Sequence, residues 1–138
     1  MYDRKVDVPR LVASLPQGGD GHPIVEEMRR ALSARYGEDF THVSMALYRD
    51  GKDSVAFHGD TTARDLPEAL VATMSLGFPR RFQLRPTASG ESIAYNLGQG
   101  DLLVMGGTCQ RTWRHGIPNV AAAGPRISIM FRPTWYPG

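Results

Sequence analysis

From His42 onward the apolar residues of this chain gather in short runs, several strictly alternating, and nearly every run is closed by glycine or proline. Alternation is the period of a strand, whose successive side chains point to opposite faces. "HVSMALY", "SVAFH", "ALVATMSLG", "RRFQLRP", "IAYNLG", "LLVMGG" and "PRISIMFRP" read as strands, with turns at "RDGKD", "TASGES" and "GQGD". One segment breaks the pattern. "PIVEEMRRALSARY", Pro23 to Tyr36, places Ile24, Val25, Met28, Leu32 and Tyr36 at helical spacing. Proline suits its first position, Glu26 and Glu27 its first turn, Arg35 its last, and Gly37 its C-terminal cap. One helix with seven or eight strands predicts a mainly β protein, a sandwich or barrel of antiparallel strands, with the jelly roll among the options.

Fifteen glycines and ten prolines spread along 138 residues favour many short elements over a helical bundle. That length makes about one domain. Residues 1–22, with "PQGGDG" after a short apolar run, read as a strand or extended arm followed by a loop. No apolar run approaches bilayer length, and the N-terminus lacks the pattern of a secretion signal, so no membrane partner is expected. Cys109 is the only cysteine; no intrachain disulfide is possible, and a reducing cytoplasmic location is expected. A formal charge of +2 permits a nucleic-acid partner without arguing for one.

Chemistry concentrates in three places. In "VAFHGD", His58 and Asp60 share a face if the strand persists, with Val55 and Phe57 on the other. In "RISIMFR", Ile127, Ile129 and Phe131 form an apolar face, leaving Arg126, Ser128, Met130 and Arg132 on the opposite one. His115 lies between, in "TWRHGIP", after a strand and before a proline turn. Two readings are open. A solvated strand with a chance His-x-Asp and a half-exposed edge with two arginines would account for the pieces one by one. Together they make a second pattern: two histidines and a carboxylate leave three open positions on a metal, as in non-haem Fe(II) oxygenases. Arg126 and Arg132 then supply cations for a dicarboxylate in a shared cavity.

The segments "LYRDGKDSVAFHGD", "SLGFPRRFQLR", "GDLLVMGGTCQRTWRHGIP" and "GPRISIMFRP" resemble the AlkB family of Fe(II)- and 2-oxoglutarate-dependent dioxygenases, from about Val8 to Thr134. The resemblance implies a double-stranded β-helix, a jelly roll, with residues 1–22 as an N-terminal arm or shortened lid and 23–138 as the dioxygenase core. It implies iron held by His58, Asp60 and His115, and 2-oxoglutarate contacted by Tyr48, Arg126, Ser128 and Arg132. The implied reaction is oxidative demethylation of N-alkylated bases in DNA or RNA, an alkylation-damage repair chemistry. Dioxygen and 2-oxoglutarate yield succinate and carbon dioxide, and the hydroxylated alkyl group leaves as an aldehyde. Alkylated single-stranded DNA or RNA, with the target base flipped out, is the implied partner.

Against the family pattern, Ala46 stands where an asparagine is usual, and Thr61 and Thr62 where many members carry an acidic residue that reads the base. Ser128 and Met130 replace the commoner asparagine and threonine. The segment before Pro9 is shorter than usual, and no aromatic residue lies between Leu11 and Pro23. Two alternatives follow: a 2-oxoglutarate oxygenase for a protein or small-molecule substrate, and a truncated relative that binds metal without turnover. Arg80, Arg81, Arg85, Arg111 and Arg114 suit phosphates or simply solvate a surface. Core packing is the expected role of Phe57 and Trp113.

Overall fold

The computed structural model describes residues 10–15, 22–59, 66 and 68–133. The one helical pattern is helix α1, Pro23–Tyr36, with the boundaries its sequence indicates. The His22 ring caps it by accepting from the Ile24 amide, and Gly37 closes it at φ 67°, its amide donating to the Ser33 carbonyl. On its surface Glu26 pairs with Arg29 at 2.8 Å and with Arg30 at 3.1 Å, and Arg29 also reaches Asp39 at 3.1 Å.

The strands are β1 (Leu11–Ser14), β2 (His42–Tyr48), β3 (Val55–His58), β4 (Val71–Gly77), β5 (Arg80–Pro86), β6 (Ile93–Leu97), β7 (Leu102–Met105), β8 (Trp113–Ile117) and β9 (Arg126–Arg132). A short helix α2, Cys109–Thr112, which no alternation signalled, leads into β8. The strands form two antiparallel sheets, a five-stranded one in the order β1-β2-β9-β4-β7 and a four-stranded one in the order β3-β8-β5-β6. This is the jelly-roll architecture the sequence predicts.

Strand β9 sits inside the larger sheet, hydrogen-bonded to β2 on one side and β4 on the other. Its alternation then has two buried consequences. Ile129 and Phe131 pack beneath α1 with Val25, Leu32, Phe40, Val43 and Ala72. At 1% and 0% exposure, each contributes about 1.5–3 kcal/mol of burial. Met130, on the other face, joins Ala46, Tyr48, Val71, Phe82, Leu97, Met105 and Ile117 between the sheets. Gly77 ends β4 opposite Arg126 at φ 91°; a Cβ there would stand 2.6 Å from the Pro125 carbonyl oxygen, so the close approach needs glycine.

Three expectations change. His115 lies within β8 instead of following a strand. In β3 the register runs from Val55↔Ile117 to His58↔His115, so three residues on one strand span two on the other. That β-bulge puts Val55 and His58 on the same side, where strict alternation would separate them. Arg80 is a buried structural group at 2% exposure, not a surface cation: it occupies an inward position of β5 and donates to the carbonyls of Asp50, Asp53 and Pro118. Burial lowers its pKa, with the Tyr48 hydroxyl and Asp53 opposing the shift. Among the described residues, no helix is long and apolar enough to cross a membrane.

Candidate functional site

The facing interiors of the two sheets enclose a cavity whose lining includes His58, His115, Tyr48, Ser128, Arg132 and Arg10. His58 and His115 are register partners in adjacent strands, so their side chains leave the sheet side by side. Their ring centroids lie 4.3 Å apart with the planes tilted by 55°. The Phe82 ring stacks on His115 at 5.5 Å and 12°, fixing the buried imidazole from behind. His58 Nδ1 lies 2.8 Å from the Ala56 carbonyl oxygen. A carbonyl only accepts, so Nδ1 carries a proton, which leaves Nε2 as the ring nitrogen suited to a metal. One ion at the usual distance of about 2 Å from imidazole nitrogen fits such a pair. Asp60, Thr61 and Thr62 lie outside the described residues.

The larger sheet supplies the opposite wall. Arg126 is register partner to Tyr48, which is 1% exposed, and its guanidinium carbon lies 5.0 Å from that ring's centroid. Arg10 stands on the far side of Tyr48, 5.9 Å from the ring, and its Nη1 donates to the Tyr48 hydroxyl at 3.1 Å. Arg80 approaches the same ring to 5.5 Å. Three guanidiniums thus surround one buried tyrosine. Arg126 donates to Ser75 Oγ at 2.9 Å, but its buried Nε and Nη1 have no hydrogen-bond partner among the described residues. Burial lowers its pKa, the Tyr48 hydroxyl opposing and Arg80 reinforcing the shift. A desolvated cation with two unspent donors is the complement of a carboxylate.

Arg132 lies six positions further along β9, about 20 Å of strand, donating to Ser44 Oγ at 3.3 Å. It lines the cavity directly, whereas Arg126 stands behind Tyr48, so the two arginines mark different ends of the site. Between them Ser128 faces Ala46 across β2 and Ser75 across β4. These small residues leave space at mid-strand. Sequence reasoning missed Arg10, which follows from pairing Leu11 with Leu47 and thereby setting Arg10 beside Tyr48. It also missed Phe82 as the support for His115.

A jelly roll with a histidine pair in its interior cavity, and a buried, under-bonded arginine behind a tyrosine that lines the cavity, has donor groups suited to a metal and a carboxylate. The chain belongs to the 2OG-Fe(II) oxygenase superfamily, whose model matches residues 18–132, and within it is AlkB-like. Iron(II) and 2-oxoglutarate are the metal and co-substrate of that family. Human alpha-ketoglutarate-dependent dioxygenase alkB homolog 3 is 31% identical over 126 residues, covering 84% of this chain and 44% of that protein. The mouse DNA oxidative demethylase ALKBH2 is 28% identical over 119 residues, 80% of this chain and 50% of its own length. The chain therefore spans about half or less of these relatives. In fold it is similar to a Pseudomonas putida prolyl-4-hydroxylase, with TM-score 0.63, 16% identity and coverage of 88% and 71% of the two chains. It is also similar to OsALKBH1, with TM-score 0.57, 17% identity and coverage of 80% and 58%.

Proposed function

We propose that this chain carries the catalytic core of an Fe(II)- and 2-oxoglutarate-dependent dioxygenase that oxidatively demethylates N-alkylated bases in DNA or RNA. The observation that carries the reading is the cross-strand pair His58–His115, opening on the same cavity as Tyr48, Ser128 and Arg132. The AlkB homologues, one of them named a DNA oxidative demethylase, support the nucleic-acid substrate.

In this reading His58, Asp60 and His115 hold iron. His58 binds through Nε2, its tautomer set by the Ala56 carbonyl. Phe82 keeps the His115 ring from turning. Arg126 takes the far carboxylate of 2-oxoglutarate on its unpartnered nitrogens, and the Tyr48 hydroxyl, already accepting from Arg10, orients toward the same end. Ser128 offers a short hydroxyl at mid-cavity, and Arg132 a cation at the opposite end. The bound metal and co-substrate supply the activation of dioxygen. The protein's part is to fix their orientation and keep bulk water out, since the lining around the histidines is formed by Val55, Val71, Met105, Ile117 and Met130.

The test is formaldehyde release from an N-methylated single-stranded oligonucleotide with Fe(II) and 2-oxoglutarate, beside succinate formation without nucleic acid. Formaldehyde supports demethylation. Succinate alone assigns a working oxygenase to another substrate, and neither product overturns the catalytic reading.

A further inference from the structure

The outer face of the four-stranded sheet, turned away from the histidines, has a charge pattern that the cavity chemistry does not use. Phe82 and Leu84 of β5 and His115 and Ile117 of β8 face the interior. Alternation then turns Arg81, Arg85 and Arg114 outward, and all three are exposed. Arg85 and Arg114 are register partners, two like charges set directly opposite, which costs stability. The other outward positions of β5, β8 and β6 are Gln83, Gly116, Ala94 and Asn96. No carboxylate stands among them, and no ion pair among the described residues involves these arginines. Phe57 belongs to this face as well. Next to the inward His58 it faces outward, not into the core as expected, and the Arg85 guanidinium lies 3.9 Å above its ring centroid, a cation–π contact that holds the arginine flat on the sheet.

We propose that this face is a docking surface for the phosphate backbone of a single-stranded nucleic acid, with Arg81, Arg85 and Arg114 contacting phosphates. It rests on the nucleic-acid reading above and adds a contact surface beyond the site itself. Phosphodiesters supply the negative charge that the opposed arginines lack. A single strand is specified because of where the patch lies. Phe57 and His58 are consecutive in an edge strand and point to opposite faces, so a chain on the outer face reaches the histidines by turning over that edge. A duplex, stiff over about 150 base pairs, does not turn that sharply.

The experiment is anisotropy of a labelled, unmodified oligothymidylate across a salt series. It compares the wild type, Arg114→Gln, and the triple variant R81Q/R85Q/R114Q, with Arg35→Gln on α1 as an off-face control. At about 0.7 counterions per phosphate contact, the triple variant should lower the salt slope by about 2 and Arg114→Gln by about 0.7. Low-salt affinity of the triple variant should fall at least tenfold, with thermal melting no lower than wild type, because the opposed charges are removed, and Arg35→Gln should bind within twofold of wild type. Absence of binding by the wild type overturns the proposal. So does a triple variant that keeps the wild-type slope, or an equal loss in Arg35→Gln. The probe carries no alkylated base and needs no turnover. Failure of demethylation therefore leaves this measurement intact, and formaldehyde release with unaltered slopes removes the docking surface alone.

Discussion

Tyr48 and Arg126 are register partners across β2 and β9, and the guanidinium carbon of Arg126 lies 5.0 Å from the centre of the tyrosine ring. The pairing buries a cation with two unspent donors, beside a hydroxyl that is already engaged by Arg10. In the proposed function this ionic anchor serves the co-substrate and leaves the metal to the other sheet.

Arg126→Ala should accordingly raise the 2-oxoglutarate requirement roughly ten- to a hundredfold, the worth of charge-assisted hydrogen bonds, while the iron requirement moves little. Titrating succinate formation against each in turn separates the two. An unaltered 2-oxoglutarate dependence would remove Arg126 from the co-substrate site.

His58→Ala and His115→Ala should each abolish turnover and weaken metal retention, measured by metal content after gel filtration, and Asp60→Ala should do the same. Near-normal activity in any of the three would sink that residue as a ligand. Chelation of the wild type should silence it, and added Fe(II) should restore it.

Tyr48→Phe removes only the hydroxyl that accepts from Arg10 at 3.1 Å. The 2-oxoglutarate requirement should rise a few-fold, in the same direction as for Arg126→Ala but less, since a neutral hydrogen bond contributes about 1 kcal/mol. A change in the iron requirement instead would place Tyr48 nearer the metal.

Hydrogen bonding from Arg29 holds the Glu26 carboxyl down at about 2, from an ordinary 4.5. A carboxylate whose folded pKa is depressed stabilises above its unfolded value, and the gain fades as pH falls from about 4.5 toward 2. Melting curves of Glu26→Gln should therefore lie below wild type at neutral pH and converge with it by about pH 2. A gap that stayed constant with pH would mean that charge at Glu26 is not its source.

The elements that sequence reasoning recovers are those whose signal is local. Pro23 and Gly37 bound α1 because each end has its own stereochemical demand. The two faces of "RISIMFR" separate as alternation requires, since β9 is regular and paired on both sides. His58 and His115 stood out as a candidate pair, but their contact depends on register between segments nearly sixty residues apart. The β3 bulge had no signal, because one extra residue alters neither composition nor hydrophobicity, only the side to which Val55 turns. Arg80 shows the same limit. Nothing local distinguishes it from Arg81, and only the three carbonyls that converge on its guanidinium make it interior.

Strand β9 has no face of its own to spare. Ile129 and Phe131 clamp it to the helix, while Ser128 and Met130, from the intervening positions, line the cavity. Scaffold and chemistry are thus the two sides of one ribbon about a single residue thick. A change of shape beneath α1 at constant volume, such as Ile129→Leu, is transmitted as a shift of the opposite side chains. Its first symptom should be a poorer grip on small anions, before any loss of melting temperature, so this strand has less room to drift than burial alone would suggest.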